Sequence, residues 1–135
     1  MLTRVSSIAA PCLDLTDDDK ALWENWCEQN MEQFWKEPLK QSSLIIIDDP
    51  QLCRLIPLIR KLNPGCPVLY RSHIEINSEL IEKLRPRGLS FRVWDYLWSN
   101  FISYADAFIA HPIEKFVPRD VPAERVIYMP ATSGT

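Results

Sequence analysis

Apolar residues follow two patterns along this chain of 135 residues. In residues 17–36 and 90–105 they recur at steps of three and four, which predicts two amphipathic helices. Elsewhere they form short continuous runs bounded by turn residues, which predicts strands of a sheet. The predicted strands are 43–47, 68–70, 107–110 and 125–129. The first of these, SLIII, is β-branched and unbroken, so we expect it to be buried on both faces of the sheet.

Shorter helical segments connect the predicted strands. They span residues 51–62, 76–85 and 112–118, and Pro57 is expected to kink the first of them or to lie near its start. The order β-α-β-α-β-α-β is typical of a parallel sheet with right-handed crossovers. We therefore predict an α/β fold with a Rossmann-like parallel sheet and an N-terminal amphipathic helix.

The N-terminal helix has a start signal and a stop signal in the sequence. Thr16 is followed by three aspartates, and carboxylates stabilise the positive end of a helix dipole. Pro38 is expected to end the helix. Its tryptophans are interpreted as core residues rather than as a ligand platform, because aromatic residues at helical spacing usually pack inward. Residues 1–16 are predicted to be irregular, residues 17–132 to form one partial Rossmann-like domain, and residues 133–135 to be a tail.

Composition narrows the function classes. Apolar residues make up 47% of the chain and charged residues 24%, which predicts a packed core. The net charge of −3 argues against a general nucleic-acid binder, and no apolar run approaches the roughly 18 residues that a membrane span needs. The four cysteines show no metal-binding spacing, so they are interpreted as buried free thiols of a cytoplasmic protein. They are Cys12, Cys27, Cys53 and Cys66.

Several familiar catalytic motifs are absent from the sequence. The chain has three glycines, and their positions allow neither a GxGxxG motif nor a P-loop. No HExxH motif occurs, and no GxSxG motif surrounds Ser72. We therefore expect no cofactor.

Polar residues follow each predicted strand, in the segments DDPQ, RSHIE, HP and MPAT. In open parallel sheets, ligands bind in the crevice outside the carboxyl ends of the strands. Carboxylate, guanidinium and imidazole groups together suit a polyhydroxylated or phosphorylated ligand. The residues expected to face one such cleft are Asp48, Asp49, Arg71, His73, Glu75 and His111.

Simpler structural roles compete with this interpretation. Asp48 or Asp49 could cap the helix that follows, and Arg71 could pair only with Asp49 or Glu75. Each histidine could be a hydrogen-bonded structural residue. The same acids and histidines could bind a metal, although their spacing matches no familiar ligand set. A small phosphatase or hydrolase with one of the two aspartates as nucleophile is a further alternative.

The chain resembles the N-terminal, acceptor-side domain of phosphorylase-type trehalose synthases, with its fungal branch the nearest. The combined motifs D-D-P-Q, R-S-H-I and M-P-A carry this resemblance, which covers residues 17–132. The matching segments are DDDKALWENWCEQNMEQFWKEPL, IIIDDPQLCRLIPLIRKLNPGCPVLYRSHIEI, VWDYLWSNFISYADAFIAHPIEKFVPRDVP and VIYMPAT. Members of this family are retaining glycosyltransferases of the GT-B architecture, which has two Rossmann-like domains.

The resemblance implies roles for particular residues. Asp49 matches the family's strand-tip carboxylate near the acceptor or transferred glucose, and His73 matches the histidine beside the scissile bond. These two are the expected catalytic residues. The expected substrate-binding residues are Asp48, Gln51, Arg71, Glu75 and His111.

The resemblance also implies the reaction and its partners. Such enzymes transfer glucose with retention between glucose and a nucleotide-glucose or glucose 1-phosphate, without a metal. The family's first strand and glycine-rich loop would precede residue 17, and its donor domain would follow residue 132. We therefore expect a fragment that is inactive alone, with sugar partners and neither nucleic acid nor membrane. The alternative is a non-catalytic interaction module, with a homodimer as one expected assembly, because a free sheet edge favours pairing.

Overall fold

A computed structural model of the protein describes residues 15–72, 76–113 and 116–129. The helices are α1 (Asp17–Asn30), α2 (Lys36–Gln41), α3 (Leu55–Leu62), α4 (Ser78–Lys83) and α5 (Leu89–Asn100). The strands are β1 (Ile45–Asp48), β2 (Val68–Arg71), β3 (Ala107–Ala110) and β4 (Val126–Tyr128). Within this part of the chain, no helix is long and apolar enough to cross a lipid bilayer.

The four strands form one parallel sheet in the order β1-β2-β3-β4. This arrangement confirms the predicted α/β fold. In one row across the sheet, Ile47 aligns with Tyr70, Phe108 and Val126. The next row aligns Asp48 with Arg71 and Ile109, so the first three strands end almost level.

The hydrophobic core lies on one face of this sheet. Tyr70 and Phe108 of the strands pack with their rings 5.3 Å apart, and Trp94 of α5 lies edge-on to Phe108. The expectation that β1 is buried on both faces is wrong, because Ile46 is 46% exposed. Each connection moves to the next strand in the same direction, and right-handed crossovers then place every connecting helix on the same face. Ile46 points to the other face.

The long N-terminal helix begins where the sequence predicts but continues past its predicted end. Thr16 and Asp19 form a reciprocal capping box in front of α1. A π-helical turn, Met31–Trp35, then leads directly into α2, so the prediction that Pro38 ends the helix is wrong. Pro38 is the third residue of α2, directly after the π-helical turn, where the spacing of the hydrogen bonds changes and a missing amide costs little.

The remaining helices differ from the predicted ones mainly at their ends. The segment 51–62 starts with a 3₁₀-helical turn, Pro50–Leu52, and Pro57 is the third residue of α3, as expected for a proline near a helix start. The helix predicted over 90–105 ends at Asn100, followed by a 3₁₀-helical turn. The predicted helical segment 112–118 includes two residues outside the described part of the chain.

Two aspartates that precede strands fix the loops around the sheet. Asp106, just before β3, accepts the Val68 amide at 2.8 Å and two hydrogen bonds from Arg60, so it holds the starts of β2 and β3 together. Asp120 accepts hydrogen bonds from Arg85 at 2.6 Å and from the Trp94 indole at 2.8 Å. These contacts tie the loop before β4 to the helices of the core.

Substitution of Asp120 by asparagine should lower the free energy of unfolding by about 2 kcal/mol at pH 7, because a charge-assisted acceptor is lost. Burial raises the pKa of this carboxyl, but the bonds from Arg85 and Trp94 outweigh burial and lower the pKa below its usual value. The stabilisation is therefore complete above the unfolded-state pKa near 4 and is lost as pH falls below it. Urea unfolding at pH 7, 5 and 3 should show a smaller difference between the two proteins at pH 3 than at pH 7.

Asp95→Asn is the matched control on the exposed face of α5, where Asp95 only accepts from Ser99. It should change the free energy of unfolding by less than about 0.5 kcal/mol. An equal loss in both variants, or a constant gap for Asp120→Asn from pH 7 to pH 3, would contradict the assigned role of Asp120.

Candidate functional site

The first three strands end side by side and bring four predicted site residues to one edge of the sheet. Asp48 is in register with Arg71, and the Asp49 amide donates to the Arg71 carbonyl at 2.9 Å. The Ser72 amide donates in turn to the Ile109 carbonyl at 2.8 Å. His111 follows β3, two strands away from Asp48, which corresponds to roughly 10 Å across the sheet. This edge is the candidate site.

Asp49 has the most unusual backbone among the described residues. Its φ is 59° and its ψ is 171°, and it is the non-glycine residue with positive φ in this part of the chain. This region is almost confined to glycine and costs another residue about 1–3 kcal/mol. The Asp49 side chain makes no capping hydrogen bond to the 3₁₀-helical turn that follows, so capping does not account for it. Such strain is concentrated at functional positions, which favours a functional role for this carboxylate.

Asp48, by contrast, has an ordinary surface partner. Its Oδ1 lies 3.7 Å from Nε of Arg71, with the two side chains 54% and 40% exposed. Exposed pairs of this kind contribute about 0–1 kcal/mol. Arg71 thus pairs with Asp48, whereas the sequence alternatives name Asp49 and Glu75 as its partners, and Glu75 lies outside the described residues.

Gln51 is held through its backbone by the N-terminal helix. Its carbonyl accepts the indole N–H of Trp23 at 2.8 Å and the thiol of Cys27 at 3.6 Å. Both donors lie on α1 and are fully buried. From the sequence, Trp23 is predicted only to be a core residue, because helical spacing predicts its burial but not the target of its N–H. The contact makes α1 a structural support of the DDPQ loop.

An ion cluster beside the loop joins α1, α3 and α5. Arg54 lies 2.6 Å from Glu28 and 3.6 Å from Glu24, and its guanidinium stacks over the Phe101 ring. Glu24 also accepts the hydroxyl of Tyr96 at 2.6 Å. Burial and this hydrogen bond raise the pKa of Tyr96, which stays protonated and keeps donating at neutral pH. The start of α3, just after the DDPQ loop, is therefore fixed from two sides.

The groups beneath the loop are neutral. Burial raises the pKa of the Cys27 thiol to about 12 and that of the Cys53 thiol well above its usual value. Burial, with the negative charges of Asp49 and Asp48, likewise raises the pKa of Tyr70. Protonated thiols are poor nucleophiles, so neither cysteine suits covalent chemistry. Cys27, Cys53 and Cys66 are buried free thiols, as predicted, while Cys12 lies outside the described residues.

Two of the predicted site residues, His73 and Glu75, lie outside the described part of the chain, as does the end of the fourth segment, MPAT. The structure therefore assembles Asp48, Asp49, Gln51, Arg71 and His111 around one edge. Among the described residues, no group of three or more His, Cys, Asp or Glu side chains could hold a metal ion.

The family model and the curated relatives that match this chain indicate the same family. A family model described as "Trehalose synthase, N-terminal domain" matches residues 7–118. Trehalose phosphorylases of Pleurotus pulmonarius and Pleurotus sajor-caju are each 42% identical over 134 residues, and that of Grifola frondosa is 41% identical. The matches cover 96% of this chain but only 17–18% of each relative, so the chain spans less than a fifth of their length. No solved structure gives a significant match.

Replacing Asp49 by glycine should raise the free energy of unfolding by about 1 kcal/mol. Relief of the strain at φ 59° outweighs the greater freedom of glycine in the unfolded chain. Urea denaturation at pH 7 measures the change. A gain would show that the carboxylate is retained at a cost to stability.

The neighbouring Asp48→Gly is the matched control, because Asp48 lies in regular β1 and pairs with Arg71. It should lower the free energy of unfolding by about 1 kcal/mol, since glycine weakens a strand. Destabilisation of similar size in both variants would assign Asp49 a structural role instead.

Proposed function

The chain belongs to the family of trehalose synthase N-terminal domains, and from this membership we propose that it is the acceptor-side part of a glucosyltransferase or phosphorylase acting on trehalose. The reaction transfers glucose, with retention at the anomeric carbon, between glucose and a nucleotide-glucose or glucose 1-phosphate. The observation that carries the proposal is the strained Asp49 at the carboxyl end of β1. Its carboxylate stands at the sheet edge where open parallel sheets bind ligands.

Each residue at this edge has a chemical task in the proposed site. Asp49 accepts hydrogen bonds from sugar hydroxyls, and Arg71 offers a fork of donors beside it. Asp48 keeps Arg71 in place through the pair at 3.7 Å. Gln51 and His111 follow strands at the same edge and would offer further polar contacts to a sugar. The resemblance adds His73 beside the scissile bond and Glu75 at the acceptor pocket.

The donor side of the reaction would come from a second Rossmann-like domain of a GT-B enzyme. Negative charge on the leaving phosphate would be stabilised there by basic groups and backbone amides. Because the chain spans less than a fifth of its relatives' length, we propose that these 135 residues alone bind sugar without turning it over. The proposed location is the cytoplasm, where the buried thiols would remain reduced.

A second candidate function is a non-catalytic interaction module. Its support is β1, an edge strand of the described sheet, whose Ile46 is 46% exposed. Edge strands without lysine or proline pair readily with further strands, including those of a second copy. A measurement of sugar binding distinguishes the two candidate functions, because an interaction module that has lost catalysis has no reason to retain a sugar site.

The purified chain should bind glucose or trehalose, and Asp49→Asn should weaken that binding at least tenfold. The substitution removes the charge that strengthens hydrogen bonds from sugar hydroxyls. Isothermal titration with glucose, trehalose and phosphate, alone and combined, measures it, with Asp95→Asn as the exposed control. Absence of sugar binding by the unmodified chain would favour the interaction module, and unchanged binding by Asp49→Asn would remove Asp49 from the site.

Turnover can be tested by grafting this chain into its relative from Pleurotus pulmonarius, in place of the 42% identical segment. The graft should phosphorolyse trehalose, and His73→Ala in it should lower kcat by about 100-fold or more, as loss of a group that acts at the reacting centre does. The midpoint temperature of thermal unfolding should differ little between the graft and its His73→Ala variant. If His73→Ala strongly destabilises the graft while the molecules that remain folded keep a normal kcat, the proposed role of His73 is contradicted.

A further inference from the structure

Two side chains of α1 converge on one backbone carbonyl of the DDPQ loop. Trp23 and Cys27 are one helical turn apart, and both donate to the carbonyl of Gln51 across 28 and 24 residues of sequence. Trp23 is 1% exposed and Cys27 is not exposed. An indole N–H at 2.8 Å is the stronger of the two donors, since a thiol donates weakly.

The carbonyl that they hold lies two residues beyond Asp49. Between them stands Pro50, which is buried and whose ring fixes its own φ. On the other side, the Asp49 amide is bound to the Arg71 carbonyl at 2.9 Å. Asp49 is thus fixed before and after, and a strained conformation persists only where the surroundings determine it in this way.

We propose that Trp23 is a positioning residue: its indole N–H holds the Gln51 carbonyl and thereby keeps Asp49 in the strained conformation that presents its carboxylate to a sugar hydroxyl. This inference rests on the proposed sugar-binding function of Asp49. It gives the N-terminal helix a part in the site, although no side chain of α1 needs to touch the substrate.

Trp23 also has an ordinary packing role, and the two roles can be separated. Its ring meets Phe101 edge-on at 5.4 Å and Tyr96 at 6.3 Å. Phenylalanine at this position retains an aromatic ring for these contacts and removes the N–H donor, together with part of the buried ring volume. The structure also provides a matched control in Trp94, which is fully buried and donates its indole N–H to Asp120 at 2.8 Å.

The test compares Trp23→Phe with Trp94→Phe in the full 135-residue chain. Both variants should lose stability in urea unfolding, and Trp94→Phe should lose at least as much, because its indole donates to a carboxylate and that of Trp23 to a neutral carbonyl. Only Trp23→Phe should weaken glucose or trehalose binding at least tenfold, while Trp94→Phe should stay within twofold of the unmodified chain. Equal losses of affinity, or none, would overturn the proposal.

A second readout does not depend on sugar. By NMR, the amide of Asp49 should exchange with solvent at least tenfold faster in Trp23→Phe and at an unchanged rate in Trp94→Phe, after correction for global stability. If the unmodified chain binds no sugar, the proposed function fails, and this exchange rate alone decides whether Trp23 positions Asp49. An unchanged rate would overturn the positioning role even where sugar binds.

Cys27→Ala covers the case in which Trp23→Phe does not fold. It removes the weaker donor to the same carbonyl, so affinity should fall two- to fivefold and the Asp49 amide should exchange faster by a similar factor. Failure of both variants to fold would overturn the proposal, because it would assign these contacts to folding rather than to positioning.

Discussion

The ladder between β1 and β2 continues one residue beyond β1, where the Asp49 amide donates to the Arg71 carbonyl. This bond fixes the point at which the chain leaves the sheet. It follows the register that places Asp48 beside Arg71, and the chain leaves the sheet at Asp49, which has a positive φ. The ion pair of Asp48 with Arg71, the buried Pro50 and the turn into α3 all lie next to this point.

The packing of α1 also helps to fix the DDPQ loop, where the chain leaves the sheet. Its buried side carries the donors to Gln51, and its half-buried carboxylates surround Arg54 at the start of α3. Arg54 is buried enough that an unpaired charge there would be costly, and two glutamates with an aromatic ring compensate it. The N-terminal helix is thus bound to the loop by polar contacts of definite geometry, besides hydrophobic packing.

The sequence predicted what depends on local pattern. The helix start after Thr16, the strand 107–110 and the parallel order of elements could all be predicted from spacing and propensity. What depends on three-dimensional context was missed. The exposed face of Ile46 follows from the direction of the crossovers, and the target of the Trp23 indole lies 28 residues away. The positive φ of Asp49 was not predicted, because this combination of φ and ψ is essentially confined to glycine.

The π-helical turn Met31–Trp35 has a consequence for how this helix could arise and change. A turn of this kind corresponds to one inserted residue within an α-helix. Where the spacing of hydrogen bonds returns from five residues to four, one carbonyl is skipped, so a missing amide nearby costs little. Deletion of a single residue from the turn would make Asp17–Gln41 one regular helix with Pro38 in its interior, at a cost of about 3 kcal/mol. The insertion and the proline are therefore expected to be gained or lost together.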